Sequence, residues 1–325
     1  MLIRVHAVSV NRTLDLVVRA GAYAMPVTLP HILGVDPSGV VAAVGEGVTA
    51  RKVGDRVTTM QLLRPPTATS GPVLLGVHVW GGYAEYVKVP VEVTHPIPDS
   101  IDFATATVVS RHAPTALSML RDDARLGPED WVLVMGASGG LGTAGIQAAK
   151  HLGARVIAAA GADERVRAAV DLGADVGVNY RTQDLTAEVR RITGGRGVNV
   201  VFENIADAEL FPKALASLAR GGRLITAGAH GGGTVPLDVK HLYLNSIILQ
   251  APRRFRRRLL LRPPSLRPAA TEESRRGRPP DDAATATALI DRLVHHAEIL
   301  TIEGDSYRRR VAEAKRKSPR SAPER

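Results

Sequence analysis

A glycine-rich turn at residues 136–142 is the segment whose residue types and spacing point most directly to chemistry. It follows an apolar run, Trp131–Met135, and precedes a run of small residues, so the order is strand, turn, helix. Glycine lets the backbone turn tightly, and the free N–H groups at a helix start attract an anion. The pattern Ala137-x-Gly139-x-x-Gly142 therefore indicates a site for the pyrophosphate of a dinucleotide. A glycine turn in an unrelated α/β domain is the alternative.

Strands and helices alternate after this turn. A helical pattern ends at Gly153, and a second begins at Asp163 and stops at Gly173. Short apolar runs separated by helices predict parallel pairing with right-handed crossovers. The sequence thus predicts an α/β fold with a doubly wound Rossmann sheet over residues 106–250. Its six strands are predicted at Trp131–Met135, Arg155–Ala160, Val176–Asn179, Asn199–Glu203, Arg223–Ala227 and Ser246–Gln250.

Residues 1–105 have a different pattern, rich in Val, Gly and Thr with short alternating runs. Strand-like segments occur at Gly39–Gly45 and Gly82–Val89, and Gly-Asp within Val53–Val57 predicts a tight turn between two strands. We expect a mostly antiparallel β domain that packs beside the nucleotide-binding sheet.

Composition excludes several classes of protein. The 325 residues suffice for two domains, and the absence of cysteine excludes disulfides and thiolate metal sites. No apolar run is long enough to span a membrane and no signal peptide is present, so we expect a cytoplasmic protein without membrane contact.

The net charge of +10 belongs to the end of the chain. Residues 1–250 contain 23 Lys and Arg against 22 Asp and Glu, whereas residues 251–325 contain 19 against 10. The basic charge therefore says nothing about the enzyme-like body, and it suggests only nonspecific attraction of the tail to nucleic acid.

Four motifs occur in one order and register between residue 1 and about residue 250, namely Gly34–Val48, Val53–Val57, Gly81–Val87 and Val132–Gly142. Together they resemble the medium-chain dehydrogenase/reductase superfamily, and within it the zinc-independent quinone oxidoreductase branch. The resemblance implies a GroES-like catalytic domain, a Rossmann domain, and an active site in the cleft between them. It also implies hydride transfer from a nicotinamide cofactor.

Zinc is not expected. The places of the three catalytic zinc ligands of zinc-dependent relatives look like Asn11, Val35 and Arg111, which cannot form a tetrahedral zinc site. The stretch Gln61–His78, where those relatives carry a four-cysteine lobe, has no cysteine. The resemblance then implies a substrate that accepts hydride unaided, namely a quinone or an activated C=C or carbonyl compound.

The expected cofactor is NADPH, with NADH left open. No acidic residue ends the second predicted strand, and the resemblance places Arg165 and Tyr180 against a 2′-phosphate. Alternatively, Arg165 is a solvated charge and Tyr180 a packing aromatic. The predicted cofactor-binding residues are Gly136, Ala137, Ser138, Gly139, Gly140, Leu141, Gly142, Arg165, Tyr180, Asn204, Ala227 and Gly228.

The catalytic residues are not determined by the sequence. By the resemblance, Asn11 lies where the first substrate-side strand should enter the cleft, and Asp15 and Arg19 continue that strand segment. Thr13 offers a hydroxyl donor, and Thr115 matches a family segment at the cleft floor. None is an obvious general acid, and zinc-free relatives often lack a dedicated one. We expect a small-molecule substrate and consider a homodimer.

The two ends of the chain depart from the family. The opening strands expected before Met1 and the segment that returns to the catalytic domain after Gln250 are missing from the pattern. Residues 251–282 contain ten Arg and six Pro before residue 281, which predicts disorder. Residues 283–325 predict a helical tail, and residues 286–310 resemble the C-terminal end of IstB-like transposition ATPases, without a phosphate-binding loop.

Three hypotheses follow. The first is a zinc-independent, NAD(P)H-dependent reductase. The second is a catalytically impaired nucleotide-binding remnant fused to a transposon fragment, and the third is a nucleic-acid-binding protein that acts through its basic tail. The sequence does not decide whether the tail is a gene fusion or the product of a frameshift.

Overall fold

A computed structural model describes residues 1–23, 25–67 and 69–252. The predictions for residues 253–325, which include most of the Arg/Pro-rich segment and the whole tail, lie outside the described residues. No helix within these described ranges has the length and apolar character needed to cross a bilayer.

The first region is an antiparallel β structure. Its five-stranded sheet has the order β6-β1-β2-β3-β7, and β4 and β5 form a separate two-stranded ribbon. A cluster of buried Val, Ile and Leu side chains, including Ile3 and Val57, holds the sheet together. The elements are β1 (Leu2–Ala7), α1 (Arg12–Arg19), β2 (Ser38–Ala43), β3 (Arg56–Thr59), β4 (Leu62–Arg64), β5 (Val73–Leu74), β6 (Tyr86–Lys88) and β7 (Thr94–Pro96).

Two local predictions for this region need correction. The backbone turns at Gly54, which has a φ of 94°, but the strands β2 and β3 that it was expected to join directly end at Ala43 and begin at Arg56. The prediction of a tight turn between two strands is therefore wrong. The segment that contains Asn11 and Asp15 is the start of helix α1 rather than a strand. Asn11 is the residue before the first helical turn, a position where short polar side chains are common.

A long helix, α2 (Phe103–Ser118), connects the two sheets and contains the expected boundary between residues 105 and 106. It begins where the carboxylate of Asp102 accepts a hydrogen bond from the backbone N–H of Thr105 at 2.7 Å. The helix packs against β1, β2 and β3 on one side. Its last turns continue as a π-helical turn, Met119–Asp123, whose buried Met119 and Leu120 join the core of the second sheet.

The second sheet has six parallel strands in the order β10-β9-β8-β11-β12-β13. Numbered from its own first strand, this order is 3-2-1-4-5-6, that of a dinucleotide-binding sheet. All six predicted strands are confirmed, with ends that shift by up to five residues. The elements are β8 (Trp131–Met135), α3 (Gly140–His151), β9 (Arg155–Ala160), α4 (Asp163–Asp171), β10 (Val176–Asn179), α5 (Leu185–Ile192), β11 (Val198–Glu203), α6 (Leu210–Ala216), β12 (Leu218–Thr226), α7 (Val239–Leu244) and β13 (Ile248–Gln250).

Both faces of this sheet are covered, which explains the continuous apolar character of its strands. Helices α2, α3 and α4 pack on one face, and α5 and α6 pack on the other. Side chains of β8 alternate between the two cores, with Val132 and Val134 on the first face and Leu133 and Met135 on the second. Strand order reverses between β8 and β11, so the carboxyl ends of these strands form the crevice where ligands of such sheets bind.

Candidate functional site

The glycine turn lies at this crevice, between β8 and α3. Gly136 has a φ of 61°, and its carbonyl accepts a hydrogen bond from the N–H of Gly139 at 2.9 Å. No side chain caps the N-terminus of α3. The N–H groups of the first helical turn, Gly140 to Gly142, are therefore available to an anion.

Close packing explains why the third position of the pattern is glycine. A Cβ atom on Gly142 would lie 2.2 Å from the carbonyl oxygen of Gly136 and 2.9 Å from the Cα of Ala137. Any larger residue would push α3 away from the turn, and the N–H groups would lose their common direction. Among the other predicted residues here, Ala137 is fully buried, Ser138 is exposed, and Leu141 is half-buried.

Asn204 stands at the base of the same turn, where β11 ends. Its side-chain amide donates a hydrogen bond to the carbonyl oxygen of Met135, which ties the ends of β8 and β11 together. Asn204 is 8% exposed, and its buried Oδ1 has no hydrogen-bond partner in the described part of the chain. Such an acceptor normally has a partner, so this atom marks a place for a ligand group. Ala227 and Gly228 lie beside it, and a Cβ on Gly228 would be 2.0 Å from the Asn204 carbonyl oxygen.

The residues predicted to select the cofactor surround the end of β9. The Tyr180 ring lies over Gly161. A Cβ atom placed on Gly161 would be 3.0 Å from both Cε2 and Oη of Tyr180. Arg165 is exposed in the first turn of α4, and its side chain contacts no charged partner within the described ranges. The acidic residue nearest the strand end, Asp163, accepts a hydrogen bond from the Asn179 side chain at 2.6 Å.

A buried polar cluster lies in the β domain. The backbone N–H of Ser9 donates to Asp36 Oδ1 at 3.0 Å, and its hydroxyl donates to Asp36 Oδ2. Asp36 is 1% exposed. Burial raises the pKa of Asp36, while its two hydrogen bonds from Ser9 and the charge of Arg111 act in the opposite direction.

The second part of this cluster is centred on Asp15. Its Oδ2 accepts hydrogen bonds from the Tyr83 hydroxyl at 2.6 Å and from the backbone N–H of Asn11 at 2.8 Å. Burial, followed by the Asp15 carboxylate, raises the pKa of Tyr83, so the phenol stays protonated. The Nδ2 of Asn11 is buried and has no acceptor among the described residues. Asn11 thus presents an unused donor beside a network that fixes its backbone.

Val35 and Arg111, which the resemblance places at the zinc-ligand positions of zinc-dependent relatives, have other contacts in this fold. Val35 is 1% exposed within the apolar interior. Arg111, on α2, donates from Nη1 to Gln61 Oε1 at 2.7 Å. Within the described ranges no group of three His, Asp or Glu residues is placed to hold a metal ion.

The structure separates the three weak catalytic candidates. Thr13 is exposed on α1, and Thr115 is half-buried on α2. Asn11 alone joins the polar cluster. Asp36 and Tyr83 belong to this cluster but were not predicted from the sequence, and neither was His112, which packs against the glycine turn. The one signal in the sequence was that Asp36 and Tyr83 lie inside the family-like motifs Gly34–Val48 and Gly81–Val87.

Two family models cover these two regions. Residues 1–99 match the alcohol dehydrogenase GroES-like domain, and residues 140–258 match the zinc-binding dehydrogenase family. A third model, the IstB-like ATP binding protein, matches residues 278–315, the part of the chain for which a transposition-related tail was predicted.

Curated relatives are quinone oxidoreductases. Those from Sus scrofa and Homo sapiens are 33% and 32% identical over 231 residues, which is 71% of this chain. The matched segment spans 65% of the length of each of them.

Solved structures share the arrangement of both domains. An NAD-dependent alcohol dehydrogenase is 36% identical with a TM-score of 0.70, covering 77% of this chain and 75% of the other. A mycobacterial protein solved in complex with NADPH is 33% identical with a TM-score of 0.66, covering 78% and 73%. The fold and the crevice therefore define a two-domain, dinucleotide-binding dehydrogenase-type protein. The chain belongs to the medium-chain dehydrogenase/reductase superfamily and contains a quinone oxidoreductase-like segment.

Proposed function

We propose that this protein is a zinc-independent, NADPH-dependent oxidoreductase that transfers hydride to a quinone or an activated C=C or carbonyl compound. The observation that carries the proposal is the uncapped start of α3 at the point where the sheet order reverses. The unpartnered Oδ1 of Asn204 lies at the same place. Bound there, the nicotinamide cofactor would supply the hydride.

The surroundings of β9 support NADPH over NADH. Arg165 offers a guanidinium with no competing carboxylate, and Tyr180 lines the same strand end. A 2′-phosphate needs such a cation, whereas the ribose hydroxyls of NADH need a free acid. Asp163 is the nearest acid, and one of its oxygens is already bonded to Asn179.

The composition of the cleft supports reduction without a Lewis acid. Asn11, Val35 and Arg111 stand at the metal-ligand positions of zinc-dependent relatives, and none of the three is a thiolate, imidazole or carboxylate. A quinone or an enone accepts hydride without metal activation because the negative charge spreads onto an oxygen atom.

Asn11 is the residue best suited to hold that oxygen. Its Nδ2 is a buried donor without an acceptor among the described residues, and its backbone is fixed by Asp15. A preformed donor aimed at a developing negative charge stabilises the transition state more than the ground state. Tyr83 cannot replace it, because its hydroxyl already donates to Asp15 and lies 2.9 Å from the carbonyl oxygen of Ser9.

The proposal is tested by titrating the purified full chain with NADPH and NADH, followed by assays of cofactor oxidation. The acceptors are 1,4-benzoquinone and an alkenal, and the control reaction is alcohol oxidation with NADP⁺. We expect NADPH binding and quinone or alkenal reduction that EDTA does not inhibit. Absence of nucleotide binding, or an activity restricted to zinc-stimulated alcohol oxidation, would contradict the proposal. The impaired remnant is not favoured, since the relatives are oxidoreductases.

A further inference from the structure

His112 lies against the start of α3, although it belongs to the helix that connects the two sheets. A Cβ on Gly140 would be 2.7 Å from His112 Cε1, 3.0 Å from Nδ1 and 3.1 Å from Nε2. The polar edge of the imidazole therefore faces the first residue of α3. Glycine at position 140 is what allows the ring to come this close.

Both nitrogens of this ring lack a hydrogen-bond partner in the part of the chain that the structure describes. The residue is only partly exposed, and burial, assisted by the charge of Arg111, lowers the pKa of His112 to about 4. At neutral pH the ring is thus uncharged, with one N–H donor and one acceptor nitrogen. An uncharged, partly exposed imidazole of this kind has an N–H that can be donated to a ligand group bound beside Gly140.

The chemistry of this ligand group follows from the neighbouring helix start. The N–H groups of Gly140, Leu141 and Gly142 have no side-chain cap, and uncapped N–H groups at the start of a helix attract an anion. An anion held by the first turn of α3 lies about 3 Å from these N–H groups. Because the imidazole edge approaches Gly140 at contact distance, such an anion would also lie beside its ring nitrogens.

We propose that His112 is a ligand of the cofactor pyrophosphate, donating its ring N–H to a phosphate oxygen above the first turn of α3. This inference rests on the proposed dinucleotide binding. It also gives α2 two roles in adjacent residues, since Arg111 bonds Gln61 in the β domain while His112 faces the glycine turn. One helix would then align the substrate wall with the cofactor.

The test separates the pyrophosphate from the rest of the cofactor. ADP-ribose carries the pyrophosphate without a 2′-phosphate, and 2′-AMP carries a 2′-phosphate without a pyrophosphate. Calorimetric titrations at pH 7.5 would compare the wild-type chain with His112→Phe, which keeps a ring, and His112→Gln, which keeps an N–H donor. We expect His112→Phe to weaken ADP-ribose binding about tenfold or more. His112→Gln should keep most of the affinity, and 2′-AMP binding should not change.

Each other outcome has a distinct meaning. Equal ADP-ribose affinity for the wild type and His112→Phe would overturn this inference and leave the proposed function intact. Equal losses for both ligands would show a packing role only and would also overturn it. Failure of the wild type to bind ADP-ribose or NADPH would overturn both proposals.

A second measurement covers the case in which His112→Phe does not fold. In the ¹⁵N-histidine-labelled wild-type protein, the ring signals of His112 would be assigned from their loss in His112→Gln. Addition of ADP-ribose should shift these ring signals, because a new hydrogen bond changes the shielding of the nitrogen. Unchanged ring signals at saturating ADP-ribose would contradict the inference.

Discussion

At the scale of single residues, the proposed preference for NADPH rests on one exposed cation, Arg165. Replacing Arg165 with Ala should weaken NADPH binding by roughly 1.5–3 kcal/mol, because a charged contact to the 2′-phosphate is lost. NADH has no phosphate there, so its affinity should stay the same. Fluorescence titration with both cofactors checks this, and Arg167→Ala, which removes another exposed arginine of α4, is the control. An equal loss for both cofactors would rule out the assignment.

Zinc content is a second property set by individual side chains. Asn11, Val35 and Arg111 offer an amide, an aliphatic chain and a guanidinium where relatives have ligands. We expect elemental analysis of the purified chain to show no stoichiometric zinc, and dialysis against a chelator to leave its activity unchanged. One tightly held zinc ion per chain would place the protein in another branch of the family.

The buried imidazole of His112 predicts a specific dependence of stability on pH. The pKa of His112 is about 4 in the folded protein, below its ordinary value of 6.5. Between pH 4 and pH 6.5 this histidine is therefore protonated in the unfolded chain and neutral in the folded one. The free energy of unfolding is thus not lowered by His112 above about pH 6.5, and it decreases as the pH falls towards 4. This residue alone should lower the unfolding free energy by about 2 kcal/mol between pH 7.5 and pH 5.

The measurement for this effect is urea unfolding at both pH values for the wild type and His112→Gln. The variant should show a smaller difference between the two pH values, because glutamine does not titrate. Asp36 has a raised pKa and acts with the opposite sign, but it is present in both proteins and cancels in the comparison. An identical pH dependence for the two proteins would disprove the expectation.

At the scale of elements, the glycine turn makes a further testable prediction. Gly142→Ala would place its Cβ 2.2 Å from the Gly136 carbonyl oxygen, so α3 must move. We expect a loss of stability of about 1–3 kcal/mol together with a much weaker affinity for ADP-ribose. Gly71→Ala is the control, because no atom lies within 4 Å of that Cβ. Thermal unfolding and calorimetry would measure both effects, and normal ADP-ribose binding by Gly142→Ala would contradict the role of the turn.

The elements of the second sheet could be predicted from the sequence because its central strands are buried on both faces. That burial requires short continuous apolar runs such as Trp131–Met135, and these are easily seen between glycine turns. The strands of the β domain were harder to predict, because they are short and are joined by long connections, such as the one between Ala43 and Arg56. A two-residue turn was predicted where twelve residues connect the strands.

The polar contacts of the β domain could not be predicted, because they join residues that are far apart in the chain. Ser9 meets Asp36 across 27 positions, and Arg111 meets Gln61 across 50. No local pattern encodes such pairs. Likewise, the contact of His112 with Gly140 depends on how α2 packs against α3, which periodicity alone does not determine.

At the scale of the whole molecule, α2 makes the two domains interdependent. The helix packs against β1, β2 and β3 as well as against α3, so one element contacts both the β domain and the nucleotide-binding domain. A reaction between two bound molecules depends strongly on their alignment. If substrate and cofactor bind as proposed, changes in the packing of α2 away from His112 should affect turnover more than cofactor affinity, since the other proposed cofactor contacts come from the second sheet and its loops.

The free edge of the second sheet leads to a prediction about assembly. Within the described residues β13 has a neighbour on one side only, and Ile248 and Leu249 are 51% and 41% exposed. An edge strand with apolar side chains is a template for pairing. We propose that a second copy of this chain pairs along β13 about a two-fold axis, the simplest symmetry for identical subunits.

Light scattering coupled to size-exclusion chromatography tests this assembly on the full chain. We expect the wild type to have twice the mass of a single chain, and the double variant Ile248→Lys, Leu249→Lys to have the mass of one. Lysines on the edge would oppose each other across the two-fold axis, so like charges would add to the loss of apolar contact. Val53→Lys, at a 61% exposed position of the β domain, is the control and should remain dimeric. A wild-type chain that elutes as a monomer, or a dimer that survives the double substitution, would show that β13 is not the interface.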